Sequence, residues 1–315
     1  MERFHATKAS RVRAPGLQRF PRAWGLDFEV SACESGRYHA QRMIHATAIV
    51  HPHARIHPSV EVGPYSIVGP DAELGEGCVL GPWVQIAGHT RIGKHNHFHA
   101  SAVIGDAPQD LKYHGQPTRL IIGDHNVFRE HVTLHRSNKL EEDTTIGSHC
   151  FFMAHSHLGH NSHIGNHVIV ANGALIAGHV QIDDRAFISG NCLIHQFTRV
   201  GRLALMQGGA AISKDLPPFT IARGANRVSG LNVIGMRRAG LSPAERLELR
   251  SLHRLMFSGS RRWKDRLAEA EALVKTEPGR VFADFLRSTA RGICSGPRHA
   301  KTQAEAGHSE NDTGA

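Results

Sequence analysis

An aliphatic or aromatic residue recurs at every sixth position over most of this chain. The repeat begins at Val50 and, apart from two interruptions, keeps its phase to Ile212. Glycine often follows the repeated residue, and a small or slim residue often stands two positions before it. The repeated positions form three runs: Val50, Ile56, Val62, Val68, Leu74, Leu80, Ile86, Ile92, Phe98 and Ile104; Ile122, Phe128 and Leu134; Ile146, Phe152, Leu158, Ile164, Val170, Ile176, Ile182, Ile188, Ile194, Val200, Met206 and Ile212.

This period fits neither an α-helix, whose side chains repeat about every 3.6 residues, nor a plain strand, whose side chains alternate. It is typical of a parallel β-helix, in which each hexapeptide forms one short face and three close a triangular coil of about 18 residues. Successive coils then stack about 4.8 Å apart. The small positions include Cys78, Cys150 and Cys192, so we interpret these cysteines as core residues and not as ligands.

Residues 105–121 and 135–145 interrupt the repeat, which resumes in the same phase; both segments are predicted to be loops that leave the coils. After Ile212, Ser242, Pro243 and Glu245 have the pattern of a helix start with a capping box. Further helices are predicted over 262–275 and 278–289. The predicted fold class is an all-β left-handed parallel β-helix over residues 43–229, followed by a small α-helical C-terminal domain over residues 230–295.

The two ends of the chain lack any periodic pattern. Residues 1–42 are rich in Arg and have no apolar core of a secretory signal. We expect them to be a disordered extension, or to precede a native start at Met43. The polar tail, residues 296–315, is also expected to be disordered.

Composition narrows the class of protein. No run of about 18 apolar residues occurs, so no transmembrane segment is predicted. Five cysteines without a C-x-x-C spacing suit a reducing, cytoplasmic location. The formal net charge of +9 is dispersed along the chain, and no nucleic-acid partner is predicted. An anionic small substrate, an acidic protein partner or an anionic membrane surface fits this charge equally well.

Four histidines lie within residues 154–165, AHSHLGHNSHIG. Adding 18 to a position gives its neighbour on the next coil, so His160 maps to Gly178 and then to Gln196. By the same step Asn161 maps to His179, and His195 falls on the same edge of the prism. An imidazole can act as a general base near neutral pH, and the N–H of a neighbouring glycine can face an oxyanion. A metal site is an alternative, with ligands from the four histidines of this stretch: His155, His157, His160 and His163.

Several stretches from Met43 to about residue 290 resemble the UDP-N-acetylglucosamine O-acyltransferase family, which catalyses the first step of lipid A biosynthesis. The most specific is the series QDLKY, GxPT and REHVTLHR, because many acyltransferases share the hexapeptide repeat. The stretches that carry the resemblance are IGDAPQDLKYHGQPTRLIIGDHNVFREHVTLHR (104–136), AHSHLGHNSHIGN (154–166), ANGALIAGHVQIDD (171–184), LIHQF (193–197), DLPPFTIARG (215–224) and LNVIGMRRAG (231–240).

The resemblance implies transfer of an (R)-3-hydroxyacyl group from the acidic acyl carrier protein to the 3-hydroxyl of UDP-N-acetylglucosamine (UDP-GlcNAc). It implies a homotrimer, with sites between subunits and no cofactor. His160 matches the general base, Gly178 the oxyanion donor, and Gly208 falls near the position that limits acyl chain length. The residues that match substrate-binding positions are Gln109, Asp110, Lys112, His135, His157, His179, His195, Gln196, Gly208 and Arg238.

The chain departs from the family pattern at three places. The residue after the base is often Asp in the family and is Asn161 here. Since a neutral Asn can orient the imidazole but not stabilise its charge, we expect a compensating carboxylate or a slower enzyme. HRSN (135–138) replaces HRGT, and Ala239 stands where the family has a second Arg. These departures leave three alternatives: a paralogue with another nucleotide sugar or acyl donor, a zinc lyase of the gamma-carbonic-anhydrase type, and a non-catalytic scaffold.

Overall fold

The structure, a computed structural model, describes residues 18–19, 29–30, 43–258 and 261–296. Two short strands, β1 (Gln18–Arg19) and β2 (Glu29–Val30), pair antiparallel. The remainder of the predicted N-terminal extension, and the predicted disordered tail after residue 296, lie outside the described residues. None of the described helices is long and apolar enough to cross a membrane.

From Ile49 the chain winds into three sheets of very short strands, which form the three faces of a prism. The first face contains β4 (Arg55–Ile56), β7 (Glu73–Leu74), β10 (Thr90–Ile92), β13 (Leu120–Ile122), β16 (Thr144–Ile146), β19 (His163–Ile164), β22 (Gln181–Ile182) and β25 (Arg199–Val200). The second face contains β5 (Glu61–Val62), β8 (Val79–Leu80), β11 (His97–Phe98), β14 (Val127–Phe128), β17 (Phe151–Phe152), β20 (Ile169–Val170), β23 (Phe187–Ile188), β26 (Leu205–Met206), β28 (Thr220–Ala222) and β29 (Val228–Leu231). The third face contains β3 (Ile49–Val50), β6 (Ile67–Val68), β9 (Gln85–Ile86), β12 (Val103–Asp106), β15 (Thr133–His135), β18 (His157–Leu158), β21 (Leu175–Ile176), β24 (Leu193–Ile194) and β27 (Ala211–Ile212).

The strands of one face pair in parallel, except for the antiparallel β28–β29 pair at the end of the second face, and the register confirms the predicted coil. Leu158 pairs with Ile176, and Ile176 pairs with Ile194, so each step along the face advances the chain by three hexapeptides. The repeated residue of each hexapeptide points inward and is buried along most of the prism. Cys78, Cys150 and Cys192 are buried with them. The fold is the predicted left-handed parallel β-helix, with one continuous core along its axis.

The corners of the prism explain much of the histidine content. Many corner residues have a positive φ near 60°, a conformation in which Asn, Asp and His are enriched among non-glycine residues. Three of these corner histidines, His125, His149 and His167, stack ring on ring on successive coils, with centroids 5.1 and 4.9 Å apart. We therefore assign these histidines to the turns of the coil and not to a ligand-binding cluster.

Both interruptions of the repeat contain loops, as predicted, but strands occupy the ends of the predicted segments, so that the loops cover only residues 107–119 and 136–143. Thr90 pairs with Leu120, and Leu120 pairs with Thr144, so both of these coils contain more residues than the regular coil from Leu158 to Ile176. The extra residues leave the prism where the third face turns into the first face, between β12 and β13 and again between β15 and β16. We call this edge the third–first corner.

Four helices follow the β-helix: α1 (Val233–Arg238), α2 (Pro243–Phe257), α3 (Trp263–Leu273) and α4 (Glu277–Arg287). Ser242 caps α2 and forms the predicted capping box with Glu245. The apolar sides of the helices form a second core that includes Ile169 of the second face. The helical domain therefore packs against the second face.

A buried ion pair ties the helical domain to the last coils. Asp215 is 1% exposed and accepts hydrogen bonds from the backbone N and the Nε of Arg199, at 2.9 and 3.0 Å. Thr289, just after α4, donates its hydroxyl to the same carboxylate at 2.9 Å. The Arg199 guanidinium also lies over the Phe285 ring of α4, 4.3 Å from its centroid.

Replacement of Asp215 by Ala should lower the free energy of unfolding by about 3 kcal/mol, because it leaves the Arg199 charge half-buried without its partner. Denaturant unfolding followed by circular dichroism measures the change. Glu73→Ala is the matched control, since Glu73 pairs with two exposed arginines on the surface and should cost about 1 kcal/mol or less. Equal losses in the two variants would contradict the role assigned to Asp215.

Candidate active site

A cavity of about 610 Å³ opens on the third face, over its last coils. Polar side chains line its rim at the third–first corner, and the outer side chains of β21, β24 and β27 form an apolar wall. The lining residues are Gln109, His135, His157, Gly159, His160, Leu175, Ile176, Ala177, Gly178, Leu193, Ile194, His195, Gln196, Ala211, Ile212, Ser213, Ala225 and Asn226. The cavity thus combines an ionisable rim with space for an apolar group.

His160 lies in the turn between β18 and β19, at the third–first corner. On the next coil the backbone N–H of His179 donates to the His160 carbonyl at 2.9 Å, and one coil further the N–H of Phe197 donates to the Gly178 carbonyl at 3.3 Å. The structure therefore places His160, Gly178 and Gln196 on three successive coils, at the positions that the hexapeptide period predicts.

Asn161 holds the His160 ring in one orientation. Its Oδ1 lies 2.7 Å from His160 Nδ1 and also accepts the backbone N–H of Asn138 at 3.0 Å. Its Nδ2 donates to Ser137 Oγ at 2.7 Å and to Glu142 Oε2 at 3.0 Å. Because Oδ1 can only accept, the proton of the neutral His160 ring belongs on Nδ1. Nε2 is then the free basic atom.

Gly178 faces this ring with its backbone. A Cβ at Gly178 would lie 3.0 Å from both Nε2 and Cε1 of His160, and a Cβ at Gly159 would lie 2.5 Å from the Gly178 nitrogen. Within the described residues no acceptor takes the Gly178 N–H. The two glycines therefore keep a free backbone donor next to a free imidazole nitrogen, an arrangement suited to acyl transfer.

Three further histidines surround His160. The His179 ring meets the His160 ring edge to face, with centroids 5.2 Å apart. His157 and His135 lie on consecutive coils of the third face, with centroids 5.2 Å apart. Burial, with a smaller effect of His135, lowers the pKa of His157 to about 4, and burial also lowers the pKa of His179. Both rings are therefore neutral near pH 7 and able to donate or accept hydrogen bonds to a substrate.

The 107–119 loop brings a carboxylate to the rim. Asp110 accepts the backbone N–H of Lys112 at 3.0 Å and the Asn138 amide at 2.5 Å, and these bonds lower the pKa of its carboxyl. Gln109 lines the cavity directly. Lys112 is exposed and is not among the residues of the cavity wall.

Two further predicted site residues, besides Lys112, lie away from the cavity. Gly208 is exposed in the turn between β26 and β27, on the opposite edge of the third face from His160. Arg238 is exposed in the last turn of α1. Their predicted contacts with substrate are therefore not made by the cavity of a single chain.

Sequence reasoning missed several residues of the site. Glu142 and Ser137 contact Asn161 from the 136–143 loop, whose irregular spacing carries no repeat signal. Arg291 follows α4 and reaches the cavity, where its Nε donates to the Ser213 carbonyl at 3.1 Å and its Nη2 lies 3.5 Å from His195 Nδ1. Only the return of the chain after the last helix brings this arginine to the rim.

The alternative prediction is a metal site. In the described part of the chain, no group of three or more His, Cys, Asp or Glu side chains is arranged so that it could hold a metal ion. His155 is exposed at the corner between the second and third faces, where it stacks on His131. His163 lies on the first face. His157 and His160 line the cavity, whereas His155 and His163 lie elsewhere on the coil, so the four histidines do not converge on one point.

The lowered pKa of His157 has a consequence for stability. The unfolded chain binds a proton at this residue below pH 6.5, whereas the folded protein does so only near pH 4. The free energy of unfolding should therefore fall as the pH drops through this interval, and less steeply in His157→Gln. Urea unfolding at a series of pH values measures the slope. His53→Gln, at an exposed position, should keep the wild-type slope, and an unchanged slope in His157→Gln would contradict the assignment.

Comparison with known proteins assigns the chain to a family. The model of bacterial transferase hexapeptides (six repeats) matches residues 71–106 and 143–178, and the model of UDP-N-acetylglucosamine O-acyltransferase, domain 2, matches residues 215–294. The acyl-[acyl-carrier-protein]–UDP-N-acetylglucosamine O-acyltransferase of Gloeothece citriformis is 43% identical over 207 residues, which cover 65% of this chain and 75% of the relative.

Solved structures of UDP-N-acetylglucosamine acyltransferases resemble this chain in fold. The UDP-N-acetylglucosamine acyltransferase of Francisella novicida superposes with a TM-score of 0.79 at 31% identity, over 84% of this chain and all of the other. The Arabidopsis enzyme of the same name superposes with a TM-score of 0.71 at 32% identity, over 80% of this chain and all of the other. With 43% identity over 75% of the Gloeothece citriformis relative, the chain belongs to the UDP-N-acetylglucosamine O-acyltransferase family of acyltransferases.

Proposed function

We propose that this protein transfers an (R)-3-hydroxyacyl group from acyl carrier protein to the 3-hydroxyl of UDP-GlcNAc, the first step of lipid A biosynthesis. The proposal rests mainly on one observation. The free His160 Nε2 lies next to the free Gly178 N–H, at the rim of a cavity with an apolar wall. The two substrates are inferred from the names of the related enzymes. The reaction takes place in the cytoplasm and needs no metal or organic cofactor.

The transfer is direct, without a covalent enzyme intermediate. His160 Nε2 removes the proton of the sugar 3-hydroxyl, and the oxygen attacks the carbonyl carbon of the thioester. The Gly178 N–H donates to the oxyanion of the tetrahedral intermediate. The intermediate then expels the thiolate of the carrier. This thiolate takes up the proton that the imidazolium received from the sugar. Asn161 keeps the Nδ1 proton in place throughout, so that the ring reacts only through Nε2.

The proposed active form is a homotrimer with its sites between subunits. In one chain the cavity is open on the third face, where Leu175 and Leu193 are 47% and 49% exposed. Packing of a second copy against this face would bury the two leucines and close the cavity. The predicted substrate residues outside the cavity of one chain, Lys112, Gly208 and Arg238, would then act from neighbouring subunits. A Gly at 208 leaves space there for a long acyl chain.

The direct test is acyl transfer to radiolabelled UDP-GlcNAc from a panel of 3-hydroxyacyl carrier proteins. Replacement of His160 by Ala should lower kcat by roughly 10²–10⁴-fold, because the general base is lost, and should leave the circular dichroism spectrum unchanged. His155→Ala, in the same stretch but away from the cavity, is the control and should retain activity.

Product that depends on His160 would support the proposal and would identify the preferred chain length. Near-normal activity in His160→Ala would contradict the base assignment. No product with any donor would favour the alternative reaction, a paralogous transferase that acts on a 3-amino sugar or another acyl group. The same assay with UDP-sugar analogues separates that alternative from an inactive scaffold.

The helical domain offers a basic surface for the acidic carrier protein. Arg237, Arg250 and Arg254 are exposed on α1 and α2, whereas Arg246 is half-buried and donates to the Leu241 carbonyl. Exposed positive charges accelerate the encounter with an acidic partner and lose this effect at high salt.

Reversal of two charges, Arg250→Glu with Arg254→Glu, should raise KM for acyl carrier protein roughly tenfold at low salt, with a smaller effect at high salt. The KM for UDP-GlcNAc should stay unchanged. Steady-state kinetics at two ionic strengths measures both constants. Reversal of Arg55 and Arg91, on the first coils, is the control, and an equal effect there would dismiss a local docking surface.

A further inference from the structure

The residue after the base carries no charge in this protein, yet a carboxylate lies directly behind it. Glu142 Oε2 accepts a hydrogen bond from Asn161 Nδ2 at 3.0 Å, and Asn161 Oδ1 in turn accepts from His160 Nδ1 at 2.7 Å. We propose that Glu142 is a positioning residue, which acts through the Asn161 amide to stabilise the imidazolium that forms on His160 during acyl transfer. This inference rests on the proposed function, since it assigns a role within the same site.

The three groups form a continuous chain of hydrogen bonds in which each polar atom has one possible role. The Asn161 side chain is fully buried, and its amide uses both of its N–H groups and accepts twice at Oδ1. A flipped amide would face the Asn138 and His160 donors with N–H groups and the Glu142 carboxylate with its oxygen. A negative group on Nδ2 polarises the amide and increases the negative charge on Oδ1.

The loop that carries Glu142 is held in place on both sides of this residue. Ser137 Oγ bonds to the Lys139 carbonyl and accepts the Lys139 N–H, each at 3.0 Å. Thr144 Oγ1 accepts the Asn161 backbone N–H at 2.7 Å. The loop leaves the prism at the third–first corner one coil before His160, so that the carboxylate reaches the base from behind, away from the cavity.

Glu142 is ionised in this environment. Burial alone would raise the pKa of its carboxyl, but the Asn161 amide, His179, His163 and Lys139 together lower it. Its oxygens lie 3.5 Å from Lys139 Nζ, 3.5 Å from His163 Nε2 and 3.9 Å from His179 Nδ1. The neighbouring Asp143 is occupied by Arg119, at 2.8 Å. A second carboxylate, Asp110, interacts with His160 from the 107–119 loop.

Charge removal at constant shape tests the proposal. In Glu142→Gln, kcat should fall roughly tenfold, with KM for UDP-GlcNAc within about twofold of wild type. The acidic limb of the kcat/KM–pH profile should move to lower pH, because the imidazolium loses a negative neighbour. Glu141→Gln removes an exposed charge one residue earlier and should change neither quantity. If Glu142 only stabilised the loop, Glu142→Gln would lower the melting temperature and leave the kcat/KM–pH profile unchanged.

An exchange of the charge between the two positions gives the sharper test. Asn161→Asp alone places a second carboxylate about 3 Å from Glu142, so like charges meet and kcat should fall. The double variant Asn161→Asp/Glu142→Gln carries one negative charge, as wild type does, and the glutamine amide that it introduces can donate to the new carboxylate. Its kcat should return to within about threefold of wild type, a strong positive coupling in the double-mutant cycle. Additive losses would overturn the proposal.

A readout without turnover separates this inference from the proposed function. ¹⁵N-labelled histidine gives the titration midpoint of His160 by NMR, with its resonances assigned by their absence in His160→Gln. The midpoint should move to lower pH in Glu142→Gln and stay in place in Glu141→Gln. Inactive protein with this shift would contradict the proposed reaction and retain the electrostatic role of Glu142. Active protein without the shift would support the proposed reaction and would contradict the electrostatic role of Glu142.

Discussion

The stacking of each coil on the one below, in a fixed register, is the constraint on which the rest of the molecule depends. Strands this short are not stable alone, and except at the ends of the prism each is held by hydrogen bonds to the coils above and below. A slip of one residue would turn every inward aliphatic residue outward. The register is therefore rigid, and residues one coil apart, such as His160 and Gly178, are held together although they are distant in the sequence.

The same rigidity explains where the loops leave the coil. The insertions that lengthen the coils from Thr90 to Leu120 and from Leu120 to Thr144 are tolerated only if the prism closes as before. Both emerge at the third–first corner, below the turn that carries His160. Their polar side chains, from Gln109 to Glu142, then surround the base on a scaffold whose position the coils set.

The substitution of Asn for the family's frequent Asp is thus not an isolated loss of charge. The amide keeps the geometric task, since its oxygen fixes the Nδ1 proton of His160. The electrostatic task is available to Glu142, one residue further from the ring. A carboxylate at both positions would bring like charges together, so the neutral Asn161 and the charged Glu142 are compatible as a pair where two acids would not be.

The sequence by itself determined the β-helix, the capping box of α2, both loops and the alignment of His160 with Gly178, because a strict period converts position along the chain into position in space. Through the family resemblance it also led to the expectation of either a compensating carboxylate near Asn161 or a slower enzyme. Only the tertiary structure places Glu142 against Asn161 and returns Arg291 to the rim, because neither the irregular loop nor the path of the chain after α4 follows the period. Likewise Gly208, Arg238 and Lys112 stay outside the cavity of one chain, a fact that no count of residues reveals.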